Sequence, residues 1–250
     1  MMDNHVKIYL SILLSLFSYC ATSYGQTADT ALEAKIWKGV GGKENWQKAR
    51  YFMFSCLGGK GQHFVQGERR YLWDKQTGDC RFEGITADED TLVVLFNLKT
   101  SSGAAYVNEE RQEDQQATTL VEEALSAFEM DANLLFLPTS LEGKDVSYIV
   151  EEEKLIGAKR FKVIKLQNHK TSFETSVKGL LYINEQTGHI QHWLPSQTDQ
   201  PVYYAISGFK DIGGGLVLPT RFSGDDSTTT ITYPLAAALV NIEAHKFNRP

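Results

Sequence analysis

Two stretches of the chain repeat one pattern of strand, turn and strand. They are residues 71–84 and 182–193, and their turns have the sequences Asp74-Lys-Gln-Thr-Gly and Asn184-Glu-Gln-Thr-Gly. An Asp or Asn at the start of a turn bonds its own backbone, and Gly takes the positive φ that closes a hairpin with a bulge. The sequence therefore predicts a β-hairpin in each half of the chain.

Short strand-like segments surround both hairpins. Residues 92–96 (Leu-Val-Val-Leu-Phe) form a continuous apolar run of strand length, and the second half is rich in β-branched and aromatic residues. Strands at this spacing, without long helices between them, indicate an antiparallel sheet rather than parallel βαβ units. We predict strands at 49–57, 62–74, 79–84, 90–99, 103–108, 146–153, 159–168, 175–184, 189–193, 202–210, 216–222, 227–233 and 238–247.

Three helical segments are predicted. Residues 30–39 form a short amphipathic helix that a glycine-rich stretch ends, and residues 44–48 form a helical turn. A longer helix follows the polar residues 109–116, which are typical of a solvated loop. It starts at a capping box, Thr119-x-x-Glu122, and its apolar stripe is made by Val121, Ala124, Leu125 and Phe128.

The N-terminus is typical of an export signal. Lys7 precedes an apolar run at 8–17 that is too short to span a bilayer, and small residues lead to a cleavage site between Gly25 and Gln26. We expect a signal peptide at 1–25 and a single domain at 26–250. Lipidation of Cys20 is the alternative, which the bulky Tyr19 before it disfavours.

The composition narrows the classes of partner. A formal net charge of −6 at pH 7 argues against nucleic acid, which is bound by a basic stripe. The mature chain has no further apolar run of bilayer length, so we expect it not to cross a membrane.

Two cysteines remain after cleavage, Cys56 and Cys80. Strand parity places each on a face with phenylalanines, so both thiols are expected in the core. An exported compartment permits a disulfide between them. Two buried free thiols that act as small apolar groups are the other interpretation, and both stay open.

Catalytic and metal-binding motifs are absent from the sequence. There is no Gly-x-Ser-x-Gly motif, and Ser207-x-x-Lys210 falls at a strand end without its partner motifs. His189 and His192 are three apart on a predicted strand, which sends them to opposite faces. We therefore expect no catalytic site, no metal and no cofactor, while a hydrolase with carboxylates far apart in sequence stays a minor alternative.

The aromatic residues exceed what a minimal core needs. Most of them are expected to pack the core, but a curved sheet with an internal helix can also leave an apolar cleft for a ligand. The residues that we predict to line such a cavity are Phe54, Trp73, Phe96, Phe136, Tyr148, Tyr182 and Trp193.

Several motifs in their order along the chain resemble a known family. They are Gly-Gly-Lys-Glu-Asn-Trp46, Trp73-Asp-Lys-Gln-Thr-Gly-Asp-Cys, Leu134-Leu-Phe-Leu-Pro, residues 182–193 and Leu218-Pro-Thr-Arg. The chain resembles an uncharacterised family of exported proteins of Gram-negative bacteria that is similar in fold to the outer-membrane lipoprotein carriers and receptors. Cys80 and Leu134 depart from the pattern, which has aromatic residues at these positions.

The resemblance implies a mainly β fold with a few helices. Its curved antiparallel sheet of about eleven strands forms an incomplete (half) β-barrel that helices close on the concave side, and in the carriers that face holds lipoprotein acyl chains. We expect a non-catalytic binding protein for a lipid or acyl chain, located in the periplasm or there in association with the outer membrane. The alternative is an envelope interaction module whose own helices fill the barrel, with another envelope protein as partner.

Overall fold

The computed structural model describes residues 30–59, 64–142, 146–168, 178–196, 202–225 and 229–250. The predicted signal peptide, its cleavage site between Gly25 and Gln26 and the alternative lipidation site Cys20 lie outside these ranges, so they stay predictions. Predicted strands at 62–74, 175–184 and 227–233 begin in residues outside the described part and continue inside it.

The described residues form sixteen strands, numbered here in chain order. They are β1 (Tyr51–Gly58), β2 (Gln66–Asp74), β3 (Asp79–Ile85), β4 (Thr91–Asn97), β5 (Ser102–Val107), β6 (Glu110–Arg111), β7 (Ser147–Ile156), β8 (Lys159–Asn168), β9 (Gly179–Asn184), β10 (Ile190–Pro195), β11 (Tyr204–Ser207), β12 (Lys210–Asp211), β13 (Val217–Leu218), β14 (Arg221–Gly224), β15 (Thr230–Thr232) and β16 (Ala236–Leu239).

Fourteen of these strands make one antiparallel sheet. Its order is β6-β5-β4-β3-β2-β1-β15-β14-β11-β10-β9-β8-β7, and β16 also pairs with β1. Strand β1 joins the two halves because it pairs with β2 on one side and with β15 and β16 on the other. The predicted open, curved antiparallel sheet is confirmed, with more strands than the resemblance implies.

Three α-helices are described: α1 (Thr30–Gly39), α2 (Lys43–Lys48) and α3 (Asp114–Leu135). Two 3₁₀ helices follow, at Leu137–Glu142 and Ala244–Phe247. The predicted start of α3 was wrong, because the helix begins at Asp114 and the capping box lies inside it. Gln115, Gln116 and Ala117 have favourable helix propensity, and Asp114 places a carboxylate at the positive end of the helix.

The late strands differ from the prediction. The predicted strand at 202–210 is divided into β11 and β12, and the one at 216–222 into β13 and β14. Strands β12 and β13 form a separate two-stranded hairpin around the turn at Gly213–Gly215, where all three glycines have positive φ. Strand β16 ends at Leu239, and a 3₁₀ helix replaces the predicted strand at its C-terminal end.

Both predicted hairpins are confirmed, and their turns have matching geometry. Asp74 Oδ1 accepts hydrogen bonds from the amides of Gln76 (2.9 Å) and Thr77 (3.3 Å). Asn184 Oδ1 accepts the same two bonds from Gln186 (2.9 Å) and Thr187 (3.1 Å). Gly78 and Gly188 close the turns at φ 86° and 77°. At Gly188 a Cβ would lie 2.0 Å from the carbonyl oxygen of Lys35, so the second turn also needs Gly to pack against α1.

Helix α3 lies on the inner face of the first half of the sheet, against β4 and β5. Phe128 of α3 contacts rings from the strands: Phe54 at 5.9 Å between centroids, Trp73 at 5.8 Å and Phe96 at 6.1 Å. Phe136 follows α3 and meets Phe54 edge-on at 5.7 Å. We call these five residues the aromatic cluster. It fills the inner face here, since each ring buries a large apolar area.

A buried ion pair joins the same helix to the sheet. Arg69 of β2 donates two hydrogen bonds to the carboxylate of Asp131 in α3, at 2.7 and 3.0 Å. Each side chain is only 5% exposed. Tyr71 donates to Asp131 Oδ2 at 2.7 Å, and Tyr233 donates to the Asp131 backbone carbonyl at 2.7 Å. Both charges are therefore compensated, which a buried ion requires.

Replacing Asp131 by Ala should lower the free energy of unfolding by about 3–5 kcal/mol, because the Arg69 guanidinium would stay buried without its counter-charge. Chemical denaturation followed by circular dichroism measures this. Glu122→Ala, at an exposed position of the same helix, is the matched control and should change it by less than about 0.5 kcal/mol.

The double variant Arg69→Met/Asp131→Leu should recover most of the loss, since apolar residues of similar size remove both charges together. A loss below about 1 kcal/mol for Asp131→Ala would show that the pair does not hold helix and sheet together.

Candidate functional site

The candidate site is a row of side chains on the inner face of the second half of the sheet. Strand pairing aligns Val150, Ile164, Leu181, Trp193 and Tyr204 across β7, β8, β9, β10 and β11. Residues paired directly across strands point to the same face. Ile164 and Leu181 belong to the core that includes α3, which places the row on the inner face. We call these five residues the inner row.

The inner row is buried at its centre and accessible toward its ends. Ile164 and Leu181 are 0% exposed, Val150 is 43% exposed, and Trp193 and Tyr204 are half-buried. The rings of Trp193 and Tyr204 stack with centroids 5.6 Å apart and planes 19° apart. Trp193 Nε1 donates to the carbonyl of Lys178 at 3.3 Å. The indole is thus oriented by the backbone, and its ring contributes apolar surface.

A second row lies next to the inner row. Tyr148 of β7 pairs with Leu166, which pairs with Gly179, which pairs with Pro195. Tyr148 is two residues from Val150 and therefore faces the same side, and it is half-buried. Neither row contains a charged residue at these described positions, so the surface that they form can bind an apolar chain by contact and desolvation.

Four of the predicted cavity residues come together away from this surface. Phe54, Trp73, Phe96 and Phe136 are 1%, 3%, 4% and 3% exposed. They belong to the aromatic cluster that Phe128 covers, so the structure places them in packed core instead of around a cavity. The sequence does not reveal this, because α3 approaches them from a distant part of the chain.

Tyr182 lies on the opposite face of the sheet. It pairs with His192 and Val163, whose strand neighbours form the inner row. There His192 stacks on Tyr203 at 5.2 Å and meets Phe161 edge-on at 5.1 Å. Burial and the charge of Lys159 lower the pKa of His192, which favours its neutral form among these rings. Of the seven predicted residues, only Tyr148 and Trp193 therefore lie in the two rows.

The buried polar network at Arg69, Asp131, Tyr71 and Tyr233 was not predicted from the sequence. Two signals could have revealed it. Arg69 has the same strand parity as Tyr71 and Trp73, which are buried, and Asp131 continues the helical apolar stripe three residues after Phe128. A charged residue at an inward position on each of two elements indicates a buried pair.

The two cysteines are free and buried. Cys80 of β3 pairs with Trp73 of β2, and Trp73 pairs with Phe52 of β1. Phe52 is separated from Cys56 by four residues along β1. That separation alone is about 13 Å, whereas the Cα atoms of a disulfide lie within about 7 Å. The bridge that the sequence left open therefore does not form in this fold.

No group of three or more His, Cys, Asp or Glu side chains among the described residues could hold a metal ion. Within the described helices, none is long and apolar enough to cross a membrane.

The chain matches no protein-family model, and no curated protein matches it. Among solved structures it is similar to a DUF1329 family protein from Desulfovibrio piger, with 11% identity and a TM-score of 0.43 over 87% of this chain and 96% of the other. It is also similar to a LolA superfamily protein from Nitrosomonas europaea, with 12% identity and a TM-score of 0.43 over 86% and 95%.

A third similar structure is the lipoprotein LppX of Mycobacterium tuberculosis, with 11% identity and a TM-score of 0.34 over 86% of this chain and 100% of the other.

Cys56 and Cys80 should not react with Ellman's reagent in the folded protein. Burial raises the pKa of both thiols, and the negative charge of Asp131 raises that of Cys56 further, so little thiolate forms. In a chain that begins at Gln26, both thiols should react once guanidinium chloride unfolds the protein, and the absorbance at about 412 nm records the reaction. Rapid reaction of either thiol under native conditions would contradict the packing around it.

Proposed function

We propose that the protein is a non-catalytic binding protein whose ligand is an apolar chain, such as a lipid or a lipoprotein acyl chain, held along the inner row. The observation that supports this is the half-buried Trp193–Tyr204 stack at the accessible end of an apolar row. Rings that a core encloses completely, such as Phe54, do not offer surface in this way.

The dimensions of the inner row suit such a ligand. It crosses five adjacent strands, so its four interstrand spacings of about 4.8 Å make about 19 Å. The rows offer aliphatic and aromatic side chains without a charge, which is the environment that a long hydrocarbon needs when it leaves water.

We place this activity in the periplasm or at the outer membrane. The support is the N-terminal sequence, with Lys7, the apolar run at 8–17 and the small residues before Gln26. An acyl chain that moves between membranes in an aqueous compartment needs a protein surface that shields it, and the inner row would supply one.

Trp193 gives a direct test, because it differs in exposure from the other tryptophans. Trp37, Trp46 and Trp73 are 5%, 6% and 3% exposed, whereas Trp193 is half-buried in the proposed site. A brominated fatty acid of about 16 carbons should quench the tryptophan fluorescence saturably. Trp193→Phe should abolish most of the quenching, because the quencher must approach the ring closely.

Trp193→Ala should weaken binding of a fluorescent fatty acid by about tenfold, as lost aromatic contact and a lost stack together remove about 1.4 kcal/mol or more. Tyr182→Ala is the matched control, since Tyr182 is also half-buried and lies on the outer face of the neighbouring strand. Equal weakening in both variants, or no binding by the native protein, would refute the inner row as the site.

A second function is supported by the first half of the sheet. There α3 and the aromatic cluster occupy the inner face, as an envelope interaction module with a self-filled barrel would require. Mass spectrometry of protein purified without detergent separates the two functions. A co-purified lipid supports the binding protein, and ligand-free protein that also fails to bind the fatty acid supports the interaction module.

A further inference from the structure

The two edges of the sheet are built differently. In the described part of the chain, one edge is β6, which has two residues, Glu110 and Arg111, both charged and exposed. The other edge is β7, which has ten residues and pairs only with β8 among the described strands. An edge strand presents unpaired N–H and C=O groups, and natural sheets block such edges by short length and charge. Strand β6 has both protections over its whole length, whereas β7 is long and has an uncharged stretch at Tyr148–Val150.

Strand β7 also exposes large apolar side chains. Ile149 and Val150 are each 43% exposed, and Leu155 is 72% exposed. Three of the eight exposed large apolar residues of the described chain thus lie on this one strand. Because neighbouring residues point to opposite faces, Ile149 and Val150 flank the edge from both sides. A strand added beside β7 would cover both of them.

The regular part of this edge is short and well defined. Pairing with β8 shifts between Ser147 and Tyr148 and again between Glu151 and Lys154. Between these irregularities, Tyr148–Glu151 pair in unbroken register with β8. Bulges interrupt pairing with an additional strand, so Tyr148–Glu151 is the segment that can accept one.

Charge at the end of this segment indicates the kind of partner. Glu153 is paired with Arg160 at 3.1 Å and with Lys162. Glu151 and Glu152 are exposed, and neither has an ion pair among the described residues. Opposite charges across neighbouring strands stabilise their pairing, and like charges destabilise it.

We propose that β7 is a docking edge for an extended segment of another protein. The segment adds as a strand along Tyr148–Glu151, places apolar side chains beside Ile149 and Val150, and carries Lys or Arg opposite Glu151 and within reach of Glu152. Backbone hydrogen bonds supply affinity in this mode of recognition and side chains supply specificity. A second copy of the chain does not supply this charge, because its own segment Tyr148–Glu151 contains no Lys or Arg to place opposite Glu151. This inference does not depend on the apolar-ligand role.

A synthetic peptide tests the proposal. The probe is as long as β7, ten residues, alternates Val and Thr, and has two adjacent lysines near its centre. Fluorescence anisotropy of the labelled peptide should show saturable binding that weakens as salt is added. The same peptide with glutamates in place of the lysines, and a version with alternate backbone nitrogens methylated, should not bind.

The matching protein variants reverse the charge on each edge. The double variant Glu151→Lys/Glu152→Lys should bind the lysine peptide about tenfold or more weakly than the native protein does. It should bind the glutamate peptide instead. Glu109→Lys/Glu110→Lys makes the same change of charge at exposed positions on the β6 side and should leave binding unchanged. The single variant Glu152→Lys should also weaken binding of the lysine peptide, by a smaller factor. Thermal unfolding shows whether each variant is folded.

Four outcomes would overturn the proposal. They are no binding by the native protein, equal weakening by both double variants, equal binding of the methylated peptide, and native dimers that the Glu151→Lys/Glu152→Lys variant dissociates or strengthens. Trp193→Ala should bind the peptide normally. Because this variant should lose fatty-acid binding and keep peptide binding, a failure of one proposal can be distinguished from a failure of the other.

Discussion

The ion pair between Arg69 and Asp131 is the interaction that fixes the long helix on the sheet. Two charged side chains that are 5% exposed have to remain together, because separating them would leave an ion in an apolar interior. Tyr71 from β2 and Tyr233, which follows β15, bond the same Asp131. Three parts of the chain that are distant in sequence therefore converge on one residue, and the position of α3 follows from that convergence.

The position of α3 divides the inner face. Over the first half of the sheet, Phe128 and Phe136 close the space between helix and strands, and Phe54, Trp73 and Phe96 become core. Over the second half, the inner row keeps half-buried rings at Trp193 and Tyr204. The same residue types therefore pack completely in one half and keep accessible surface in the other.

The inner row also reaches the edge of the sheet, because Val150 is both its last member and part of β7. An apolar surface and an exposed strand edge are thus adjacent in the fold. In the described part of the chain, the other edge, β6, is short and charged at Glu110 and Arg111, whereas β7 is ten residues long with a regular segment at Tyr148–Glu151.

Local chemistry in the sequence determined the hairpins, the antiparallel sheet and the identity of most strands. Asp74 and Asn184 bond their own turns, and Gly78 and Gly188 supply positive φ, all within a few residues. The start of α3 was missed because helix propensity before Thr119 outweighed the capping box. Only the tertiary structure decided which aromatic rings are covered, that Cys56 and Cys80 are too far apart to bridge, and that Arg69 meets Asp131. Each of these depends on contacts between segments far apart in sequence, and alternation or spacing along one strand or helix does not specify them.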